Sequence, residues 1–232
     1  NGAAVQRNLR AFEIGRWAVL YPAEVKRLVS PNVVALPKTL DEKIAFRAEH
    51  LTLYQSARLA KRYRKLVDSV SDPNLKAAVA NGYHKLLSYK DEYEVARLLL
   101  QSEAKARAEF DGEFKMHFHL APPILGGTDA SGRPKKRKFG AWMLKPFGLL
   151  ARLKVLRGTP LDVFGYSAER RMERGLIKQY ETDMTEVLDK VKPETLDATV
   201  ALAALPMDIR GFGPVKMANE AKAAKRREEL LS

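Results

Sequence analysis

Residues 167–191 have the sequence SAERRMERGLIKQYETDMTEVLDKV, and this stretch decides the fold class. Ser167 is a good helix N-cap, because its hydroxyl can accept a hydrogen bond from a free amide of the first turn. Apolar side chains then recur at helical spacing, which is typical of a helix that buries one face. These side chains are Met172, Leu176, Tyr180, Met184, Val187 and Val191. The stretch therefore predicts a long helix that begins after Ser167.

Comparable signals occur on both sides of this helix. Asp72 and Pro73 combine an N-cap residue with a proline at the first helical position. The spacing of apolar residues predicts another helix over about 91–109. Its expected inward-facing residues are Val95, Leu98, Leu99 and Ser102. A short helix is predicted after Pro193, and a last helix is predicted to begin at Gly213 and Pro214.

The helical pattern breaks between residues 111 and 140. Apolar and polar residues alternate there, which is the period-two pattern of a half-buried strand. The alternating residues are Phe114, Met116, Phe118 and Leu120 with Lys115, His117 and His119 between them. A glycine-rich turn follows, and the next stretch can return as a second strand. The predicted fold class is therefore mainly α, a multi-helix domain with one short β-strand or hairpin around 113–139.

The first part of the chain differs in character from the rest. Apolar residues before residue 20 fit a helix, and Pro22, Pro31 and Pro37 then punctuate the sequence. We therefore expect residues 1–35 to be the tail of a preceding domain with a linker, and residues 36–232 to form the helical domain. Since the chain begins at Asn1 instead of methionine, we expect it to be a fragment or a processed product.

The composition excludes several classes of protein. The 232 residues include no cysteine, which excludes a disulfide scaffold, a zinc ribbon, a thiol nucleophile and thiolate ligation of an iron–sulfur cluster within this chain. No apolar run approaches the length of about 18 residues that suggests a membrane span. No secretory signal precedes the first helix, so we expect a cytoplasmic protein without a membrane partner.

The net charge of +13 predicts an anionic partner. Nine cations and no acid occur between Arg133 and Arg157. This pattern fits a solvated loop, a docking surface for an acidic partner or ligand, or a nucleic-acid contact. The nucleic-acid contact is the least favoured of the three, because no recognition motif accompanies the basic stretch. The candidate anion or partner contacts are Lys135, Lys136, Arg137, Arg157, Arg170, Arg171, Arg174, Arg210 and Lys216.

His117 and His119 are candidate ligand contacts, because an H-x-H pair on one strand face can supply two metal ligands. The spacing places no third ligand beside them, since His50 and His84 lie on separate predicted helices. No phosphate loop, zinc-protease motif or nucleophile motif is present. The residues therefore assign no catalytic, cofactor-binding or metal-binding position.

Several stretches together resemble one family. They are LLSYKDEYEVARL at 86–98, FHLAPP at 118–123, KFGAWM at 138–143, LRGT at 156–159, FGYSAERRMER at 164–174, LP at 205–206 and IRGFGPVK at 209–216. They resemble the C-terminal region of the large bacterial indolepyruvate ferredoxin oxidoreductases. Residues 1–12 are similar to the end of the preceding gamma-type oxidoreductase domain of those enzymes. The resemblance covers essentially the whole chain.

The resemblance implies a specific setting for this chain. The full enzymes oxidatively decarboxylate a 2-oxoacid such as an aryl pyruvate, using thiamine diphosphate, magnesium and [4Fe-4S] clusters. They pass electrons to ferredoxin and the acyl group to coenzyme A, and a homo-oligomer is expected for the full enzyme. No residue of this chain matches their cofactor motifs, so the resemblance implies a non-catalytic accessory domain whose first partners are other domains of the same polypeptide. A basic nucleic-acid-binding module and a metal-dependent enzyme built on His117 and His119 remain as alternatives.

Overall fold

The computed structural model describes residues 4–29, 37–110, 115–121, 126–127, 135–211 and 213–231. The fold is mainly α with one small antiparallel hairpin, as the sequence predicts. The chain divides into two compact units, Asn1–Thr39 and Leu40–Ser232. Of the positions singled out in the sequence, Asn1, Pro31, Phe114 and Arg133 lie outside the described residues.

The helices begin and end as follows. They are α1 (Val5–Leu20), α2 (Pro22–Val29), α3 (Leu40–Tyr54), α4 (Ala57–Asp68), α5 (Pro73–Leu87), α6 (Glu92–Glu109), α7 (Leu144–Arg152), α8 (Ala168–Leu188), α9 (Leu196–Ala204) and α10 (Pro214–Leu231). Short 3₁₀ segments occupy Ala141–Met143, Leu153–Leu156, Pro193–Thr195 and Leu205–Asp208. The strands are β1 (Phe118–Leu120) and β2 (Arg137–Phe139).

Side-chain caps define the starts of three helices that the sequence predicts. Asp72 accepts a hydrogen bond from the amide of Leu75 at 2.8 Å, and Pro73 follows it at the start of α5. Asp91 caps α6 by accepting the amide hydrogen of Glu94 at 2.9 Å. Ser167 caps α8 in the same manner. Each cap satisfies an amide that has no partner inside its helix, so these predicted starts are confirmed.

The main core of the second unit lies between α3, α4, α5, α8 and α9. Its most deeply buried side chains include Leu51, Tyr63, Val79 and Met184. Helix α5 lies at the centre, because it packs against α9 on one side and against α4 and α8 on others. Of the predicted stripe, Tyr180 and Met184 are buried, and Met172, Leu176 and Val187 are partly buried. The stripe is therefore confirmed within α8, whereas Val191 lies beyond the end of that helix.

The inward face predicted for α6 is partly wrong. Leu98 has 39% of its surface exposed, and Ser102 is also exposed. Tyr93 and Ala96 occupy the buried face instead. The physical reason is that α6 packs on α7 through a second small core of Ala96, Phe118 and Phe147. This packing buries a face of α6 that is rotated from the face with the most aliphatic side chains.

The hairpin joins this second core. Phe118 pairs with Phe139, His119 with Lys138 and Leu120 with Arg137. Phe118 is buried against Phe147, with ring centroids 5.1 Å apart in an edge-to-face arrangement. Alternate residues of β1 therefore face the core, which confirms the period-two pattern. Within the described ranges, no helix is both long enough and apolar enough to cross a bilayer.

Candidate functional site

The first candidate surface is the run of four cations at residues 135–138, here called the basic strand. Lys135, Lys136, Arg137 and Lys138 are all exposed. Because residues directly opposite in an antiparallel pair point to the same face, Lys138 and His119 share the outer face of the hairpin. The basic strand therefore presents clustered positive charge on a short hairpin.

Arg157, the last cation of the same stretch, lies in the interior. Its guanidinium pairs with Asp91, donates a hydrogen bond to the carbonyl of Tyr54 at 2.8 Å and lies 3.7 Å from the centre of the Tyr54 ring. Burial alone would lower the pKa of Arg157, but the hydrogen bonds to Asp91 raise it above its ordinary value. Arg157 therefore stays charged and joins the end of α3 to the start of α6, where an external partner does not reach it.

The three candidate arginines on α8 differ in their surroundings. Arg170 pairs with Glu173, whereas Arg174 donates to the carbonyl of Gly165 at 2.5 Å. Arg171 is exposed. Of these three arginines, Arg171 is therefore the one that is exposed enough to contact a partner.

A groove of about 310 Å³ lies between the end of α5 and the start of α10, and it is here called the cationic groove. Its basic lining residues are Lys85, Lys90, Arg210 and Lys216. Its apolar lining includes Leu176, Pro206 and Ile209. Arg210 and Lys216 were candidates from the sequence, but Lys85 and Lys90 were not, because nothing in their local sequence links them to the distant start of α10.

Glu173 is the acidic residue in the groove wall, and it is only 4% exposed. Its carboxylate forms ion pairs with both Arg170 and Lys216. Burial would lower the pKa of Arg170, but the charge of Glu173 and its hydrogen bond raise it. Glu173 is therefore already shared by two cations, and it anchors α10 to α8 through Lys216.

Lys85 is the half-buried cation of the groove. Among the described residues, its ammonium has no hydrogen-bond or ion-pair partner. Burial lowers the pKa of Lys85, the nearby charges of Arg210 and Lys216 lower it further, and Asp208 partly opposes them. The cations of the groove therefore repel one another, and this repulsion adds to the effect of burial on Lys85.

A family model matches residues 40–229 and is described as a family of unknown function, DUF6537. The chain belongs to this family. Comparison with curated proteins and comparison with solved structures found no match. The DUF6537 region contains α3 to α10 almost entirely, so the basic strand and the cationic groove both belong to the family domain.

Within the DUF6537 region the structure also joins two histidines that the sequence placed apart. The Nε2 atom of His84 lies 3.1 Å from the Nδ1 atom of His50. Burial lowers the pKa of His84 to about 3, and the neighbouring His50 and Arg47 contribute. Burial lowers the pKa of His50 as well, although Glu94 opposes this shift. Both rings are therefore neutral at neutral pH, and they share one hydrogen bond.

His117 and His119 are both exposed on the hairpin. The Nδ1 atom of His117 lies 2.9 Å from the carbonyl oxygen of Met116. In the part of the chain that the structure describes, no group of three histidine, cysteine, aspartate or glutamate side chains is placed to hold a metal ion. The metal-dependent alternative thus gains no supporting geometry from these residues.

Proposed function

We propose that residues 40–231 form a non-catalytic accessory domain of a 2-oxoacid:ferredoxin oxidoreductase, and that the basic strand docks the acidic electron acceptor. The support from the sequence is the resemblance at 86–98 and 164–174, both of which lie inside the DUF6537 region. The observation that carries the docking role is the set of four exposed consecutive cations on the hairpin. Opposite charge on a small acidic protein such as a ferredoxin would speed encounter with this surface.

The cofactors implied for such an enzyme do not fit this chain. A [4Fe-4S] cluster is normally held by cysteine thiolates, and the chain has no cysteine. We therefore assign the clusters to other domains of the enzyme. We assign thiamine diphosphate and magnesium there as well, because no stretch of this chain matches the motif that binds them. Oxidation of the 2-oxoacid and transfer of the acyl group to coenzyme A belong to the same domains in this proposal. The role that remains for this chain is to bind and orient the electron acceptor and to help assemble the enzyme.

The docking role is tested in the whole enzyme whose reading frame contains this chain. In the double variant Lys135→Glu and Lys136→Glu, the KM for ferredoxin should rise about tenfold or more at low salt while kcat stays unchanged, because steering by exposed charge acts on encounter. The difference should shrink as salt is added, because exposed charges are screened beyond about 10 Å at 0.1 M ionic strength.

The matched control reverses two exposed lysines on other helices, Lys61→Glu and Lys222→Glu, so that the net charge changes equally. This control should leave the KM within about twofold of the parent enzyme, because the contact is local. An equal rise in both double variants would contradict docking at the basic strand. A reading frame without thiamine-binding and cysteine-cluster motifs, with no turnover of any 2-oxoacid, would contradict the accessory role itself. A gel shift with a steep salt dependence and an unchanged KM would favour the nucleic-acid alternative.

A further inference from the structure

The cationic groove collects positive charge from three separate parts of the fold. Lys85 comes from the last turn of α5, Arg210 from the segment before α10, and Lys216 from the first turn of α10. Surface lysines usually spread apart in water, since like charges repel. Here the fold holds them around one depression, and Lys85 is partly withdrawn from solvent there.

The positive charge of the groove is not balanced by its own wall. Glu173 is the acid that lines it, and Arg170 and Lys216 already share that carboxylate. Asp208 acts on Lys85 from nearby, but its effect is smaller than the combined effects of burial and Arg210. An excess of positive charge therefore faces the groove. An anion with more than one negative charge would neutralise this excess best.

The backbone before α10 shapes the same place. Gly211 adopts a φ of +97°, and a Cβ atom there would lie 2.8 Å from Cγ1 of Val215. Arg210 and Lys216, which lies in the first turn of α10, line the same groove on either side of this residue. The helix dipole gives the start of α10 a partial positive charge, and Lys216 at that end lines the groove.

The floor of the groove is apolar. Leu176, Pro206 and Ile209 line it, and Ile209 is only 8% exposed. Its volume of about 310 Å³ is that of a small-molecule site. An inorganic ion would leave this floor in contact with water, whereas a molecule with an apolar part would cover it.

We infer that the cationic groove binds a phosphorylated small organic molecule, with the phosphate among Lys85, Arg210 and Lys216 and the apolar part on Leu176, Pro206 and Ile209. A phosphate monoester fits better than a monocarboxylate, because it carries up to two negative charges and three acceptor oxygens for the three cations. This inference goes beyond the accessory role and does not depend on it, because every residue that carries it lies in the groove.

Calorimetric titration of the full chain with phenyl phosphate tests the inference. Phenyl phosphate supplies both the anion and the apolar part, so it should bind more tightly than inorganic phosphate and more tightly than benzoate. The variant Lys85→Gln should weaken binding of phenyl phosphate about tenfold, which is the usual effect of losing one charge-assisted hydrogen bond. Arg210→Gln, which alters an exposed residue, should weaken it similarly and keeps the test informative if Lys85→Gln unfolds the chain.

The matched control is Lys222→Gln, which removes the same charge from the exposed side of α10 outside the groove. It should change the affinity for phenyl phosphate by less than about twofold, because surface changes away from a site have small effects. Equal weakening in all three variants would show a diffuse charge effect and overturn the inference. No heat of binding at millimolar phenyl phosphate would overturn it too. Tighter binding of benzoate than of phenyl phosphate would overturn the assignment of phosphate.

Discussion

Substituting Gly82 with alanine tests the packing of α5 at the centre of the main core. Gly82 lies in α5 where α9 approaches closely, and a Cβ atom added there would lie 2.3 Å from the carbonyl oxygen of Ala203. The same carbonyl accepts a hydrogen bond from the hydroxyl of Tyr180 at 3.0 Å. The added methyl group would also lie 3.3 Å from Cγ of Pro206. Because the closest neighbour is backbone, α9 must move as a whole to relieve the clash.

The expected magnitude follows from two opposing effects. Overpacking a close-packed core costs about 1–3 kcal/mol, and contact with backbone places this site at about 3 kcal/mol. Alanine is a better helix former than glycine by about 1 kcal/mol, which offsets part of the cost. The net loss in the free energy of unfolding should therefore be about 2 kcal/mol. For a unit of this length, that loss lowers Tm by roughly 4–8 °C.

Thermal unfolding followed by circular dichroism and urea denaturation measure the effect of Gly82→Ala. The matched control is Gly175→Ala on α8, where an added Cβ atom meets nothing within 4 Å. This control should raise the free energy of unfolding by up to about 1 kcal/mol, because it gains helix propensity without a clash. If Gly82→Ala is as stable as the parent chain, or if both variants gain stability equally, the close approach of α5 and α9 is refuted.

Two further predictions concern buried ionisable side chains. Because burial lowers the pKa of His84 from 6.5 to about 3, the unfolded chain takes up a proton near pH 6.5 while the folded chain stays neutral, so the free energy of unfolding should fall as the pH decreases below 6.5. The loss from His84 at pH 5 should be about 2 kcal/mol. In urea denaturation, His84→Gln should lose this part of the dependence of the free energy of unfolding on pH, whereas the control His117→Gln should keep it. An unchanged pH dependence in His84→Gln would exclude the buried histidine pair as its source. For the interior ion pair, Asp91→Ala and Arg157→Ala should each cost about 3–5 kcal/mol, because each leaves one buried charge unpaired. The double variant should cost clearly less than the two losses added together, and simple additivity in denaturation would show that the two side chains do not interact.

The helix starts could be predicted because their signals are local. Asp72, Asp91 and Ser167 each cap a helix by accepting an amide hydrogen three residues ahead, so a short stretch of sequence contains the whole interaction. The hairpin was predictable for the same reason, since alternation from Met116 to Leu120 follows directly from strand geometry. The face of α6 was not, because Leu98 and Ala96 are both compatible with a helix and the position of α7 decides between them.

The linear order of residues established that the chain is mainly helical, where several of its helices start, and that it is strongly basic. Caps, periodicity and composition act over a few residues or over the chain as a whole. The tertiary arrangement alone decided where the charges lie. In the folded chain Arg157 is buried beside Asp91, whereas the run from Lys135 to Lys138 is exposed. Lys85 and Arg210, which are distant in sequence, line the same groove. Electrostatic energy depends on distance and on burial, and both are set by how the helices pack.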